Sequence, residues 1–235
     1  KIFVTALAPL MFWMTERHFR DPGWVSFSGL GLVVASIIYT THFQMAYFLF
    51  GGVGMYAIFR SIQLGRGVDE AGFGSRPRAG ALRLILFLAA SVTGAAGAAW
   101  QLLPAAEYVT EYSRRTQMTS ATTGQVGRDW SSSFSMNPEE VASLVVPEFA
   151  GNLAGGGISW ATGTYWGRNG FKDNHEYAGL IVLLLAAVSF LGGPRRQLRL
   201  FLTGLGGLAV LFSLGANTPV WGLFYQFVPG ISLFR

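Results

Sequence analysis

Long apolar segments alternate with short polar ones along this chain, and the pattern predicts a bundle of membrane-spanning helices. A hydrocarbon core about 30 Å thick is crossed by about 20 mostly apolar helical residues. Six stretches approach this length, although the first is too short to cross alone. They cover residues 2–14, 24–41, 44–59, 79–103, 177–193 and 198–215. The predicted fold class is therefore all-α, a polytopic transmembrane helix bundle with about six spans and one long, partly helical extracytoplasmic loop.

Composition agrees with this prediction. Of 235 residues, 51% are hydrophobic and 12% are charged, whereas soluble domains carry about 25% charged residues. The chain has no Cys, which excludes disulfides, thiolate metal sites and a Cys nucleophile. The alternative, a set of buried helices in a soluble protein, would need more polar surface than this chain supplies.

Basic residues lie in alternate connections, which sets the expected orientation because cytoplasmic loops carry the excess of Lys and Arg. Residues 15–23, 60–83 and 194–199 hold most of them. The turn near His42 holds none, and residues 105–176 are acidic overall. We therefore expect residues 105–176 on the extracytoplasmic side. The net charge of +5 then follows from topology, and nothing in it indicates nucleic-acid binding.

The expected organisation is one larger membrane domain in three parts. Residues 1–104 would form the first four spans, the last of them ending at Pro104. Residues 105–176 would form the extracytoplasmic loop region, and residues 177–235 two further spans with a re-entrant or interfacial segment. Inside the loop region, Asn137 followed by Pro138 predicts a helix start, because an N-cap residue and a first-turn Pro favour one.

Familiar catalytic signatures are missing, since the chain has no P-loop, no HExxH and no GxSxG motif. Its three His residues lie in different connections, so we predict no metal site built from them. Polar groups instead collect where the predicted spans meet the outer surface. His42 and Gln44 lie at the tip of the predicted hairpin, where a polar head group could be held. A solvated turn is the ordinary alternative there.

Two further outer clusters suggest substrate contacts. Glu107 and Arg114 follow the fourth span, and Arg can bind phosphate with two parallel hydrogen bonds. Trp166 precedes the neighbours His175 and Glu176; an aromatic face suits a sugar ring, and a carboxylate beside His suits acid–base chemistry. Ordinary interfacial charge and an aromatic belt would explain the same residues equally well.

The order and spacing of several segments resemble the YfhO-like bacterial membrane proteins, a branch of the polytopic glycosyltransferases with the GT-C fold. The matching pieces are residues 42–47, Gln101 with Pro104 and Glu107, Ser113–Arg114, and residues 165–167, 176–180, 213–219, 229–230 and 234–235. They cover most of the chain from about residue 40 onward. The resemblance implies that this chain is a central part of a longer protein of the bacterial inner membrane.

That resemblance also implies an activity, the transfer of a sugar from a polyprenyl-phosphate donor to an acceptor at the outer face of the membrane. Such enzymes use an acidic residue in their first outer loop, which we expect before Lys1. The resemblance places Glu107 and Arg114 near the donor phosphate or a metal, and Arg235 as a second phosphate partner. It places His175 and Glu176 near the acceptor or sugar. A divalent cation is the one cofactor it suggests.

Two other functions stay open from the sequence. A transporter or flippase for lipid-linked sugars would carry paired charges within its spans near the bilayer midplane, and the predicted spans are nearly free of charge away from their ends. A non-catalytic accessory subunit of a larger membrane complex would need no particular polar site. Nothing in the sequence excludes it.

Overall fold

The computed structural model describes residues 2–67, 77–112, 127, 131–151, 163–168, 177–192 and 195–231. These residues form helices and connecting turns, with no strand among them. The all-α fold class is thus confirmed for the part of the chain that is described. The chain divides into two compact units, Lys1–Thr116 and Gln117–Arg235.

The first unit is built from five α-helices. They are α1 (Ile2–Arg20), α2 (Trp24–Tyr39), α3 (Phe43–Arg66), α4 (Pro77–Gly97) and α5 (Ala99–Glu107), which continues as a π-helix over Tyr108–Tyr112. Helix α3 ends where Gly67 takes the left-handed conformation that glycine permits, with φ 68°. The tight connection predicted between the second and third spans is confirmed, since only residues 40–42 separate α2 from α3.

Among the described residues, two helices are long and apolar enough to cross a membrane, Phe43–Arg66 and Arg78–Gly97. Trp24–Tyr39 and Leu180–Leu191 are apolar but shorter. At 1.5 Å per residue, a helix over Leu180–Leu191 rises only about 18 Å. Two of the predicted spans thus have the required length and composition, and the total of six stays a prediction.

The predicted course of the fourth span is wrong in one respect, because its helix does not run unbroken to Pro104. Helix α4 ends at Gly97, and Ala98 has non-helical angles (φ −100°, ψ 14°) before α5 begins. Pro104 lies inside α5, which continues to Glu107. Proline removes one N–H donor but its fixed φ is compatible with a helix. The break therefore falls at Ala98 and not at the proline.

Helix α1 also extends further than predicted, through the polar residues after Met14 to Arg20. The Glu16 side chain finds partners on α3 and the His18 side chain finds one on α4, so the charge of Glu16 is not left unpaired. The tight packing of α4 depends on glycines. A Cβ at Gly94 would lie 2.3 Å from the Gly31 carbonyl oxygen, and a Cβ at Gly80 would lie 2.4 Å from that of Ser61.

Hydrogen bonds connect the long helices of the first unit at both of its ends. At one end, the Tyr39 hydroxyl donates to the Gly97 carbonyl oxygen at 3.0 Å, which joins the end of α2 to that of α4. We call this the tip end; it also holds the turn before α3. At the other, the base end, His18 Nε2 lies 3.1 Å from the Arg83 carbonyl oxygen. The base end therefore brings together the end of α1, the end of α3 and the start of α4, which carry Arg20, Arg66 and Arg78.

The second unit contains α6 (Leu180–Val188), α7 (Arg196–Ser213) and α8 (Trp221–Phe227), with short 3₁₀ helices at Pro138–Leu144, Ser189–Leu191 and Gly215–Asn217. The helix start at Asn137 is confirmed, although the helix is 3₁₀ and not α. The preceding residues bind the end of α7, because the Met136 N–H donates to the Ser213 carbonyl at 2.7 Å and the Asn217 amide donates to the Met136 carbonyl at 2.9 Å.

Candidate functional site

A buried carboxylate organises the described part of the segment between α5 and α6. The Glu140 side chain is 1% exposed. One carboxylate oxygen accepts a hydrogen bond from the Asn137 N–H at 2.8 Å, and the other accepts one from the Tyr165 hydroxyl at 2.8 Å. The first bond caps the 3₁₀ helix, as the Asn137 signature predicted. The second links this helix to residues 163–168.

Trp166 directly follows Tyr165, the partner of this carboxylate. Its backbone and indole are fixed by hydrogen bonds, but its ring remains exposed to solvent. Its indole Nε1 donates to the Phe149 carbonyl at 3.1 Å, and its backbone N–H donates to the Ala150 carbonyl at 3.1 Å. The Phe149 ring meets the indole at 69°, with centroids 5.8 Å apart. The side chain still exposes 59% of its surface. Gly151 allows this approach, because a Cβ there would lie 2.3 Å from the Thr164 carbonyl oxygen.

An ion pair begins two residues further along the chain, at Arg168. Arg168 Nε is 3.3 Å from a Glu139 carboxylate oxygen, and the Arg168 side chain is 77% exposed. We call the surface formed by Glu139, Trp166 and Arg168 the Trp166 face. It combines an exposed aromatic plane with a carboxylate and a guanidinium, a set of groups that can stack on a ring and hydrogen-bond its hydroxyls.

The residues predicted to bind substrate are distributed over both units. His42 directly precedes α3 and accepts the Ala46 N–H at its carbonyl oxygen at 3.0 Å, and Gln44 lies in the first turn of α3; both are partly buried. Glu107 is exposed at the end of α5. Trp166 belongs to the face just described. The other predicted residues, Arg114, His175, Glu176 and Arg235, lie outside the described residues.

The sequence analysis missed a charged cluster at the base end. The Glu16 carboxylate of α1 accepts hydrogen bonds from Arg20 at 2.5 Å and from the Tyr56 hydroxyl of α3 at 2.7 Å. Arg60 Nε lies 2.8 Å from the same carboxylate, and an Arg60 terminal nitrogen donates to the Gln63 side chain at 2.7 Å. We call Glu16, Arg20, Tyr56, Arg60 and Gln63 the base cluster.

Burial and pairing act in opposite directions on Glu16. Burial raises the pKa of this carboxyl, but hydrogen bonds from Tyr56 and Arg20 and the positive charge of Arg60 outweigh it, so the pKa lies below its ordinary value. The carboxylate is therefore charged at neutral pH. The i,i+4 spacing of Glu16 and Arg20 was a signal for one of these contacts. The partners on α3 are 40 or more positions away in sequence and gave no local signal.

His18 of α1 and Arg83 of α4 each donate a hydrogen bond to a backbone carbonyl of the other helix. His18 is 1% exposed and donates from Nε2 to the Arg83 carbonyl, while the Arg83 guanidinium donates to the Phe19 carbonyl. The Nδ1 atom of His18 is buried without a partner among the described residues. Burial lowers the pKa of His18, and the nearby Arg83 charge adds to that effect. The ring is thus neutral at physiological pH.

No metal site is evident in the described part of the chain, where no group of three or more His, Asp or Glu side chains could hold an ion. A search with the whole sequence and structure finds no matching family model, no matching curated protein and no matching solved structure.

Proposed function

We propose that this chain is part of a multi-pass glycosyltransferase of the bacterial inner membrane, of the YfhO-like type, which transfers a sugar from a polyprenyl-phosphate donor at the outer face. Placement in a membrane is supported by the apolar surface of its helices. In the most apolar stretches of Phe43–Arg66 and Arg78–Gly97, only 28% and 22% of the residues are buried. Side chains such as Ile85 and Val92 are 60% and 68% exposed. Water would make this surface costly, whereas lipid tails match it.

The observation that carries the proposed activity is the Trp166 face. A sugar ring has apolar C–H faces and a rim of hydroxyls, so its recognition requires an aromatic plane beside hydrogen-bonding groups. The exposed indole supplies the plane, and Arg168 and Glu139 supply donors and acceptors next to it. The hydrogen bonds to the Phe149 and Ala150 carbonyls and the contact with the Phe149 ring hold the indole in place before ligand binds, which lowers the entropy lost on binding.

The donor phosphate needs a positive partner, and we assign this role to Arg114, with Glu107 beside it and Arg235 as a second partner. His175 and Glu176 would contact the acceptor or sugar, and His42 and Gln44 would contact a head group at the tip end. A divalent cation bound near Glu107 would add to the stabilisation of phosphate charge. The catalytic acidic residue would come from a loop before Lys1.

Sugar transfer by the full-length protein in proteoliposomes tests this function, with a labelled polyprenyl-phosphate sugar as the donor. We expect Trp166→Ala to lower kcat/KM about tenfold, the equivalent of roughly 1.4 kcal/mol of lost aromatic contact. Trp166→Phe should recover part of the loss. Trp24→Ala, which removes an indole that is 85% exposed at the start of α2, should leave the rate unchanged.

Two further variants test the residues that we assign to the donor phosphate. Glu107→Ala and Arg114→Ala should abolish transfer while expression and membrane insertion persist. Normal transfer by both would remove these assignments. Absence of transfer by the wild type, together with stoichiometric recovery of the chain in a larger complex, would instead favour the accessory subunit. Vesicles that move the lipid-linked sugar without transferring it would favour the flippase.

A further inference from the structure

The base end carries a pair of residues, exposed Trp13 and half-buried Arg17, that the proposed sugar transfer does not use. The Arg17 guanidinium lies over the Trp13 ring, 5.7 Å from its centroid, and the Trp13 side chain is 52% exposed. The two residues are four positions apart along α1, so their Cα atoms differ by about 6 Å along the helix axis, with Trp13 the further from the end of α1. That offset matches a bilayer surface, where Trp rests at the boundary of the acyl chains and Arg reaches the phosphates.

The surroundings of this pair are basic. Arg20, Arg66 and Arg78 are also exposed at the same end, where α1 and α3 end and α4 begins. The Glu16 carboxylate is engaged by the base cluster, so its charge is already matched by Arg20 and Arg60. Exposed Asp21 is the remaining acid next to α1 among the described residues. The base end therefore offers a concentration of positive charge at the level of lipid head groups.

We propose that Trp13 and Arg17 form a binding site for an acidic phospholipid head group, with phosphatidylglycerol-type lipid as the occupant. This inference rests on the proposed insertion of the helices in a membrane, but not on sugar transfer. The guanidinium binds the phosphodiester with parallel hydrogen bonds. The indole packs against the glycerol backbone and first methylenes, and the stacking of Arg17 on Trp13 fixes the guanidinium in a plane. Charge complementarity selects an acidic over a zwitterionic lipid.

Quenching of tryptophan fluorescence by brominated lipids tests the site. The full-length protein is reconstituted in phosphatidylcholine vesicles that contain either brominated phosphatidylcholine or brominated phosphatidylglycerol at the same fraction. The signal of Trp13 is obtained as the difference between wild type and Trp13→Phe. We expect Trp13 to be quenched more strongly by the acidic lipid, and Arg17→Gln to lower the apparent affinity for that lipid about fivefold.

Matched variants make the outcome specific. Arg17→Lys keeps the charge but loses the two-pronged hydrogen bonding, so it should lie between wild type and Arg17→Gln, and it serves as the second variant if Arg17→Gln fails to fold. Arg168→Gln, which removes an exposed arginine from the second unit, should leave Trp13 quenching unchanged. Inorganic phosphate should not reverse the preference, whereas it would do so if the pair bound free phosphate.

Equal quenching by the two lipids, or a preference that persists in both Arg17 variants, would overturn the inference. Weak quenching of Trp13 by either lipid would do so too, because it would mean that protein covers the pair. Sugar transfer is measured in the same vesicles. Loss of the lipid preference with normal transfer contradicts only this site, and lipid binding without any transfer contradicts only the proposed function.

Discussion

Glu16 and Arg60 join α1 to α3 through a carboxylate–guanidinium contact of 2.8 Å in which the arginine side chain is only 9% exposed. An arginine this well covered depends on its partner, because a buried charge without a counter-ion is costly. The Tyr56 hydroxyl and Arg20 complete the coordination of the same carboxylate. The pair therefore fixes the position of α1 against the rest of the first unit.

Removal of the carboxylate should destabilise this unit. We expect Glu16→Ala to lower the free energy of unfolding by about 1–3 kcal/mol, less than for a fully buried pair because Glu16 retains 22% exposure. Arg20→Ala removes the exposed i,i+4 partner and should cost under about 0.5 kcal/mol. Thermal unfolding in detergent measures both changes. Similar losses for the two variants would show that Arg60 does not depend on Glu16.

Acid should weaken the contact of α1 with α4 through His18. The pKa of His18 is lowered in the folded protein, so the unfolded chain takes up the proton first as pH falls. Stability is then complete above the ordinary His value of about 6.5 and declines as pH falls from there toward the lowered pKa.

The variant His18→Gln can keep the donor to the Arg83 carbonyl but has no titrating ring. Its melting temperature should change less than that of the wild type between pH 7 and pH 5, the range in which an ordinary His titrates. A wild-type melting temperature that is flat across this range, or a His18→Gln profile with the same slope, would contradict the role assigned to His18.

Close packing at Gly94 should make this position intolerant of side chains. A Cβ there meets the Gly31 carbonyl at 2.3 Å and the Val34 Cβ at 2.9 Å, so α2 and α4 would have to separate. We expect Gly94→Ala to destabilise the protein by about 1–3 kcal/mol. Gly97→Ala adds the same methyl group where nothing lies within 4 Å and should be neutral. The melting temperatures of the two variants in detergent measure this difference. An unchanged melting temperature for Gly94→Ala would mean that α2 and α4 do not meet at this position.

The hydrogen bond from Tyr165 to Glu140 should keep the Trp166 face ordered. Tyr165→Phe leaves one oxygen of a buried carboxylate without this donor, at a cost of about 1–3 kcal/mol. We expect faster proteolysis between residues 131 and 168 and weaker sugar binding by Trp166. Arg168→Gln breaks only an exposed ion pair and should not change the proteolysis rate. Equal protection of wild type and Tyr165→Phe would contradict the structural role of this bond.

Local sequence signals predicted the elements well and the contacts between them poorly. The tight α2–α3 turn and the cap at Asn137 depend on a few adjacent residues, and both are present. The break at Ala98 was missed, because Pro104 is the stronger breaker by residue type, whereas in the structure Pro104 lies inside α5 and Ala98 has the non-helical angles. The buried environment of Arg60 was missed as well, since its partner Glu16 is distant in sequence.

For the candidate site, too, residue types were predicted from the sequence but contacts were not. Trp166 was predicted from its residue type alone, and the structure supplies what the sequence could not, namely the carbonyls that hold its backbone and indole. The buried role of Glu140 was hidden, because an acidic residue in a first helical turn is normally exposed at the surface. Its partner Tyr165 is 25 positions away in the sequence.

The hydrogen bonds at the two ends of α4 restrict how the first unit can move. Near its start α4 is bonded to α1 through Arg83 and His18, and at its end it is bonded to α2 through Gly97 and Tyr39. A slide of α4 along its axis would break both connections and force Gly94 away from Gly31. We therefore expect α1–α4 to act as a rigid support, and any motion that accompanies substrate binding to begin at Ala98, where the helical angles are interrupted.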